Sequence, residues 1–112
     1  MAETIFDKII KREIPADIVY ENEKVLAFKD IDPKAPFHIL VIPKQAIPTL
    51  NDVKDFAIYA DIFEAIQHIT QEAGIQKDGY RVVANCNEYG GQAVYHIHFH
   101  VLGKRQLTWP PG

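Results

Sequence analysis

Three histidines lie within five residues near the end of the chain, in the stretch Y-H-I-H-F-H-V-L at residues 95–102. Successive side chains of a strand point to opposite faces, so His96, His98 and His100 are predicted to share one face. The residues between them are predicted to form the core face: Tyr95, Ile97, Phe99 and Val101. A neutral imidazole is a nucleophile, and histidine also moves protons or holds an oxyanion near neutral pH. We therefore interpret the row as catalytic, centred on His98 and suited to attack at phosphorus.

Two other interpretations of the row stay open. The first is a solvated polar face, although any polar residue would serve there and three alternating histidines are improbable by chance. The second is a metal site, since His96 and His98 could share one zinc ion. That site would need a third ligand from elsewhere, such as His38 or an acidic residue, because an extended strand holds His96 and His100 too far apart.

Glycines precede the row, in the segment Gly90-Gly91-Gln92. Glycine lets the backbone approach a ligand closely, and successive N–H groups can form a nest for an anion. We therefore predict that this segment holds a phosphate beside the histidines.

The surrounding pattern predicts an α+β fold on an antiparallel sheet. Thr4 and Asp7 resemble a capping box at the start of a short helix, and Asn51 is predicted to cap a long helix. The long helix is predicted to bury one apolar stripe: Phe56, Ala60, Phe63, Ile66 and Ile69. The predicted elements are a helix at residues 4–12, strands at 17–21, 25–29 and 38–42, a helix at 52–73, a strand at 80–85, a loop at 86–92 and a strand at 94–102.

Composition narrows the class of protein. Hydrophobic residues make up 47% and charged residues 24% of the 112 residues, and the net charge is −3, which excludes nucleic acid as the main partner. A single cysteine, Cys86, excludes an internal disulfide and a multi-thiolate zinc site within one chain. The opening M-A-E-T-I-F-D-K lacks the apolar core of a signal peptide, and no apolar run is long enough for a membrane. We expect one cytoplasmic domain over residues 1–112, with no cofactor, no bound metal and no membrane partner.

Several segments carry a resemblance to a known family. They are the triad H-I-H-F-H-V-L, the segment T-I-F-D-K-I-I-K-R-E-I-P, the segment A-F-K-D-I-D-P-K-A-P-F-H-I-L-V-I-P, the segment G-G-Q-A-V-Y and the final W-P-P-G. Together these segments resemble the Hint branch of the histidine triad superfamily. The resemblance implies a five-stranded antiparallel sheet with one long and one short helix, continued across a homodimer. It implies a purine nucleoside phosphoramidase acting on derivatives of AMP or GMP, with residues 103–112 as a tail near the partner's site.

The resemblance also implies roles for individual residues. His98 would be the nucleophile that forms a nucleotidyl-histidine, His100 would contact the phosphate, His96 would orient His98, and His38 would be an additional active-site histidine. The implied nucleotide-binding residues are Asp30 and Ile31 at the ribose, Ile5, Phe6, Ile9, Phe28 and Leu40 at the base, Asn85, Gly91, Gln92 and Ala93 around the phosphate and leaving group, and Trp109 in the tail.

One residue departs from the family pattern, because many members have serine where this chain has Ala93. The missing hydroxyl would remove a hydrogen bond worth at most roughly 1.5–3 kcal/mol. We therefore expect weaker activity or an altered leaving-group preference, and a nucleotide-binding sensor with weak hydrolysis stays open as an alternative.

Overall fold

The protein is described by a computed structural model over residues 3–112, so Met1 and Ala2 of the opening segment lie outside the described residues. Five antiparallel strands form one sheet in the order β1-β2-β3-β5-β4, which confirms the predicted fold class. The elements are α1 (Ile5–Ile10), β1 (Ile18–Glu21), β2 (Val25–Lys29), β3 (Phe37–Pro43), a 3₁₀ turn (Leu50–Asp52), α2 (Ala57–Glu72), β4 (Tyr80–Val83), α3 (Asn87–Gly90) and β5 (Phe99–Gly103). Within residues 3–112, no helix has the length and apolar character that crossing a membrane requires.

The capping box predicted for α1 is present. The Thr4 hydroxyl accepts a hydrogen bond from the Asp7 N–H, and the Asp7 carboxylate accepts one from the Thr4 N–H. This reciprocal cap satisfies two backbone donors at the start of a helix of only six residues. The helix buries Phe6 and Ile9 against the sheet.

The start of α2 and three of the five residues of its predicted buried stripe were wrong, whereas Ile66 and Ile69 are buried as predicted. Asn51 lies in the 3₁₀ turn, which Thr49 and Asp52 cap, and α2 begins five residues later than predicted, at Ala57. The stripe that packs on the sheet is Ile62, Ala65, Ile66 and Ile69, while Phe56, Ala60 and Phe63 are exposed. Both sets recur every three or four residues, so packing against the sheet selected between two apolar stripes that periodicity alone could not rank.

The sheet separates two apolar layers. One layer lies between the sheet and α2 and contains Ile39, Val41, Ile97, Phe99 and Val101. The other lies on the opposite face against α1 and contains Phe6, Ile9, Phe28 and Leu40. Alternation along β3 and β5 therefore directs His38 and His100 to the α1 face.

The last strand is shorter than predicted. It begins at Phe99, which pairs with Val41, and the predicted strand residues 94–98 lie outside the ladder. Pro43, at the end of β3, has no N–H to offer the ladder, and the N–H of Ile97 instead donates to the carbonyl of Ile47. Tyr95, predicted in the core, is exposed.

The predicted loop at residues 86–92 contains α3. This short helix ends at Gly90 and is capped by Gly91, whose φ of +78° is a left-handed conformation that favours glycine. The N–H groups of Gly91 and Gln92 donate to the carbonyls of Glu88 and Asn87.

Candidate active site

The three triad histidines lie on the α1 face, as their alternation predicted. The exposed fractions of His96 and His98 are 1% and 7%, and His100 is half-buried. The edge of the Phe6 ring packs against His98, with 5.1 Å between ring centroids. The interpretation as a solvated polar face is therefore wrong.

The hydrogen bond of His98 determines which of its nitrogens is free. Its Nδ1 lies 2.8 Å from the backbone carbonyl of His96. A carbonyl can only accept, so Nδ1 carries the proton. The Nε2 of a neutral His98 then has a free lone pair, which is the form that a nucleophile requires.

His38 and His100 are connected in a chain of hydrogen bonds. The backbone N–H of Lys34 donates to His38 Nδ1 over 3.0 Å, so the proton of the neutral ring lies on His38 Nε2. That atom lies 2.9 Å from His100 Nδ1 and 3.4 Å from Asp30 Oδ2. His100 Nδ1 therefore accepts, and His100 Nε2 carries an N–H that a phosphate oxygen could accept.

Sequence reasoning missed Arg105. This residue holds Lys34, whose N–H begins the chain of hydrogen bonds at His38. Its Nε and Nη2 donate to the carbonyl of Lys34 at 3.2 and 3.0 Å. The loop that holds His38 Nδ1 is thus attached to the segment following β5. No local pattern could have revealed the contact, since 71 residues separate its partners.

Burial favours the neutral form of His38, His98 and His100. Desolvation is the largest cause of the lowered pKa of His98 and of the lowered pKa of His38. Burial, followed by the neighbouring His98 and His38, lowers the pKa of His100 to about 4. An unperturbed histidine nucleophile would lose activity around its ordinary pKa of about 6.5, so these lowered pKa values move the expected loss to more acidic pH.

The predicted anion nest is only partly available. The N–H groups of Gly91 and Gln92 close the end of α3, so they are not free for a phosphate. Ala93 is exposed, and its N–H makes no hydrogen bond within the described part of the chain. Ala93, the residue after the predicted segment, could offer a backbone donor to an anion.

Gln92 supports the loop with its side chain. Its Nε2 donates to the carbonyls of Pro48 and Val94, and its Oε1 accepts from the N–H of Asn87. The amide thus has its donors and its carbonyl engaged inside the protein. The resemblance implies that Gln92 contacts the nucleotide, and this stays a prediction. The side chain does not support it, because its amide already bonds to the protein.

The remaining predicted nucleotide-binding residues differ in how far their side chains are buried. Phe6, Ile9, Phe28 and Leu40 are buried together beside His98. Ile5 is half-exposed, and Asn85 and Asp30 are partly buried. The Asp30 Oδ1 accepts a hydrogen bond from the Asp32 N–H. Ile31 and Trp109 are 94% and 79% exposed, so neither is held in the site of the single chain.

Comparison with known proteins places this geometry in a family. The HIT domain model matches residues 11–107. The chain belongs to the HIT family. It is 55% identical over 108 residues to the purine nucleoside phosphoramidase of Escherichia coli K12, covering 94% of this chain and 90% of that protein. It is 51% identical to a 14 kDa zinc-binding protein of Zea mays, covering 97% and 88%. The crystal structure of a HIT family hydrolase from Legionella pneumophila superposes with a TM-score of 0.95 at 50% identity, covering 98% and 100% of the two chains.

The HIT site contains one set of side chains that could converge on a metal ion, counting residues 3–112. Asp30, His38 and His100 place ligand atoms within 4.8 Å of one another. His96 and His98, the pair considered from the sequence, are not in this set. The Lys34 N–H occupies His38 Nδ1, so His38 Nε2 carries a proton instead of the lone pair that a metal needs. The arrangement as it stands does not fit a metal ion.

An open cavity of about 420 Å³ lies on the α2 face of the sheet. Asp30 and His38 of the candidate site line one side of it, whereas His96, His98 and His100 do not. His68, to which the sequence assigned no role, is exposed there beside Glu72. The residues that line it from the sheet and α2 include Val19, Phe37, Ile39, His68, Glu72 and Lys104.

Proposed function

We propose that this HIT family protein is a purine nucleoside phosphoramidase that hydrolyses the P–N bond of nucleoside 5′-monophosphate derivatives. The observation that carries the proposal is the hydrogen bond from His98 Nδ1 to the carbonyl of His96. It leaves His98 Nε2 unprotonated in a site that favours the neutral ring. The similarity to the Escherichia coli enzyme supports the substrate class.

The reaction proceeds in two steps. His98 Nε2 attacks phosphorus, the P–N bond breaks, and a nucleotidyl-histidine forms as the amine departs. Water then attacks phosphorus, breaks the bond to His98 and releases the nucleoside 5′-monophosphate. The leaving nitrogen takes up a proton from solvent in the first step, and the attacking water returns one to solvent in the second, so the net reaction consumes one water molecule and regenerates His98.

The chain's own groups provide binding and charge stabilisation. The N–H on His100 Nε2 and the backbone N–H of Ala93 donate to phosphate oxygens, where negative charge increases in the transition state. The base lies against the apolar cluster of Phe6, Ile9, Phe28 and Leu40, and the Asp30 carboxylate accepts from the ribose hydroxyls.

The test is a matched pair of histidine variants assayed with adenosine 5′-phosphoramidate. His98→Asn keeps an amide donor for the His96 carbonyl but has no nucleophilic ring nitrogen. We expect kcat to fall by at least about 10³-fold, as removal of a nucleophile does in other enzymes. His68→Asn, an exposed histidine outside the site, should retain full turnover.

Acid quenching followed by mass spectrometry identifies the intermediate. The native chain should carry a nucleotidyl adduct on the peptide containing His98, and a chelator in the assay should leave turnover unchanged. Undiminished turnover by His98→Asn would refute the covalent mechanism. Tight nucleotide binding with negligible turnover by the native chain would instead support a nucleotide sensor, for which the absence of a hydroxyl at Ala93 argues.

We propose a homodimer as the working form. β4 is an edge strand of the sheet, and two such edges could pair to continue it. Phe56, Phe63 and Trp109 are exposed aromatic side chains, which is typical of a surface that a partner covers. The tail at residues 103–112, which carries Trp109, would then approach the partner's site, and sedimentation should give twice the chain's mass.

A further inference from the structure

His96 has a buried nitrogen without a hydrogen-bond partner. Its Nε2 donates to the carbonyl of Pro43 over 2.7 Å, because a carbonyl can only accept. Its Nδ1 has no hydrogen bond and no contact with solvent. The atom that faces Nδ1 is Asp7 Oδ1, at 3.6 Å. Sequence reasoning assigned Asp7 only a capping role.

A neutral His96 would be poorly accommodated in this position. With the proton on Nε2, its Nδ1 lone pair would face a carboxylate oxygen that is also an acceptor. Hydrogen bonding to Thr4, above all from its backbone, lowers the pKa of Asp7 and favours the ionised carboxylate. A buried acceptor facing an anion with no donor between them is destabilising. A proton between the two atoms, which lie 3.6 Å apart, changes the repulsion into attraction between an imidazolium and a carboxylate.

We propose that Asp7 and His96 share one proton between Oδ1 and Nδ1, and that Asp7 is thereby a positioning residue for the nucleophile. The other carboxylate oxygen, Oδ2, accepts from Thr4. The capping box therefore fixes the carboxylate while its second oxygen faces the triad. The nucleophile is affected because the carbonyl of His96 is the group that orients His98.

The shared proton also affects the charge around His98. A positive charge at His96 opposes protonation of His98 and lowers its pKa, although burial is the larger cause. A carboxylate on Asp30 acts in the opposite sense. Two other ionisable groups act nearby. Lys11, which follows α1, acts on Asp7, and the ring of His100 on β5 lies 5.0 Å from that of His98.

The direct test is ¹⁵N NMR of the free protein labelled at histidine, with the His96 signals assigned by comparison with His96→Asn. At pH 7 we expect His96 to show both ring nitrogens protonated, or a strongly hydrogen-bonded Nδ1 with a protonated Asp7 carboxyl in the ¹³C spectrum. Either signature places a proton between the two groups. The measurement uses no substrate, so it is independent of the phosphoramidase proposal on which the link to catalysis rests.

Two variants separate the shared proton from the helix cap. Asp7→Asn keeps an oxygen for the Thr4 N–H and presents an uncharged amide to Nδ1. Its His96 should show a single protonated nitrogen, and the acid limb of its kcat/KM profile should move to higher pH. Thr4→Val removes the capping hydroxyl but keeps the carboxylate, so both readouts should stay as in the native chain.

A native His96 with an unprotonated Nδ1 and an ionised Asp7 at pH 7 would overturn the proposal. Identical His96 spectra in the native chain and Asp7→Asn would also overturn it. If Asp7→Asn did not fold, the spectrum of the native chain alone would still decide between the two states.

Discussion

At the scale of single residues, backbone groups set the protonation of the site. The His96 carbonyl assigns the proton of His98 to Nδ1, and the Lys34 N–H assigns that of His38 to Nε2. His38 then determines which nitrogen of His100 is a donor. Three imidazoles of identical chemistry thus acquire different roles, with His98 as an acceptor toward phosphorus and His100 as a donor toward oxygen.

The pH dependence of catalysis follows from these residues. Burial lowers the pKa of His98 and lowers that of His100 to about 4. Both rings therefore lose their neutral form at a more acidic pH than the ordinary histidine pKa of about 6.5. We expect kcat/KM for adenosine 5′-phosphoramidate to reach half its maximum below pH 6.5, in more acidic buffer than an unperturbed histidine, with its pKa of about 6.5, would give.

A pH–rate profile in constant-ionic-strength buffers measures this directly. The protein must be shown to stay folded at each pH by its circular dichroism. A half-maximal rate at pH 6.5 or above would contradict the expected effect of burial on His98.

At the scale of elements, the site depends on segments that leave the regular ladder. Residues 94–98 separate from β3 where Pro43 has no N–H to offer, and Ile97 bonds to Ile47 instead. This departure places the carbonyl of Pro43 opposite His96. Gln92 then links α3 to the segments around Pro48 and Val94.

We predict that Gln92→Leu destabilises the protein by about 2–4 kcal/mol, because it leaves buried backbone groups without their partners. The midpoint of urea denaturation, followed by circular dichroism, measures the loss. Gln71→Leu, an exposed glutamine on α2, is the matched control and should change stability by less than about 0.5 kcal/mol. Equal stabilities of the two variants would contradict the bracing role of Gln92.

At the scale of the whole molecule, buried histidines connect folding to pH. The pKa values of His38, His98 and His100 are lower in the folded chain than in the unfolded chain. The unfolded state therefore binds more protons between the two values, and stability rises with pH in that window. The free energy of unfolding should fall steadily as pH is lowered from about 6.5 toward 4.

Urea denaturation at a series of pH values tests this expectation. His100→Asn keeps an acceptor for His38 but cannot take up a proton, so its stability should depend less on pH in this window. The lowered pKa values of Asp7 and Glu21 add a further loss of stability only at more acidic pH. A native stability that is constant from pH 7 to pH 4.5 would contradict the prediction.

The sequence by itself determined the features that follow from local periodicity. Alternation placed the histidines of residues 96–100 on one face and Ile97, Phe99 and Val101 on the other, and this held even where regular pairing stops. Thr4 and Asp7 predicted the α1 cap, because a capping box spans only four residues. The bounds of β2 and the fold class were also readable, since strand patterns and turn signals are local.

Only the tertiary structure decided features that join distant parts of the chain. The His38–His100 hydrogen bond spans 62 residues, and the Arg105–Lys34 contact spans 71. Which apolar residues of α2 are buried, which nitrogen of His100 carries the proton, and how Asp7 faces His96 depend on contacts between distant parts of the chain. A local pattern specifies which face a side chain occupies, but its partner there is set by the folding of the whole chain.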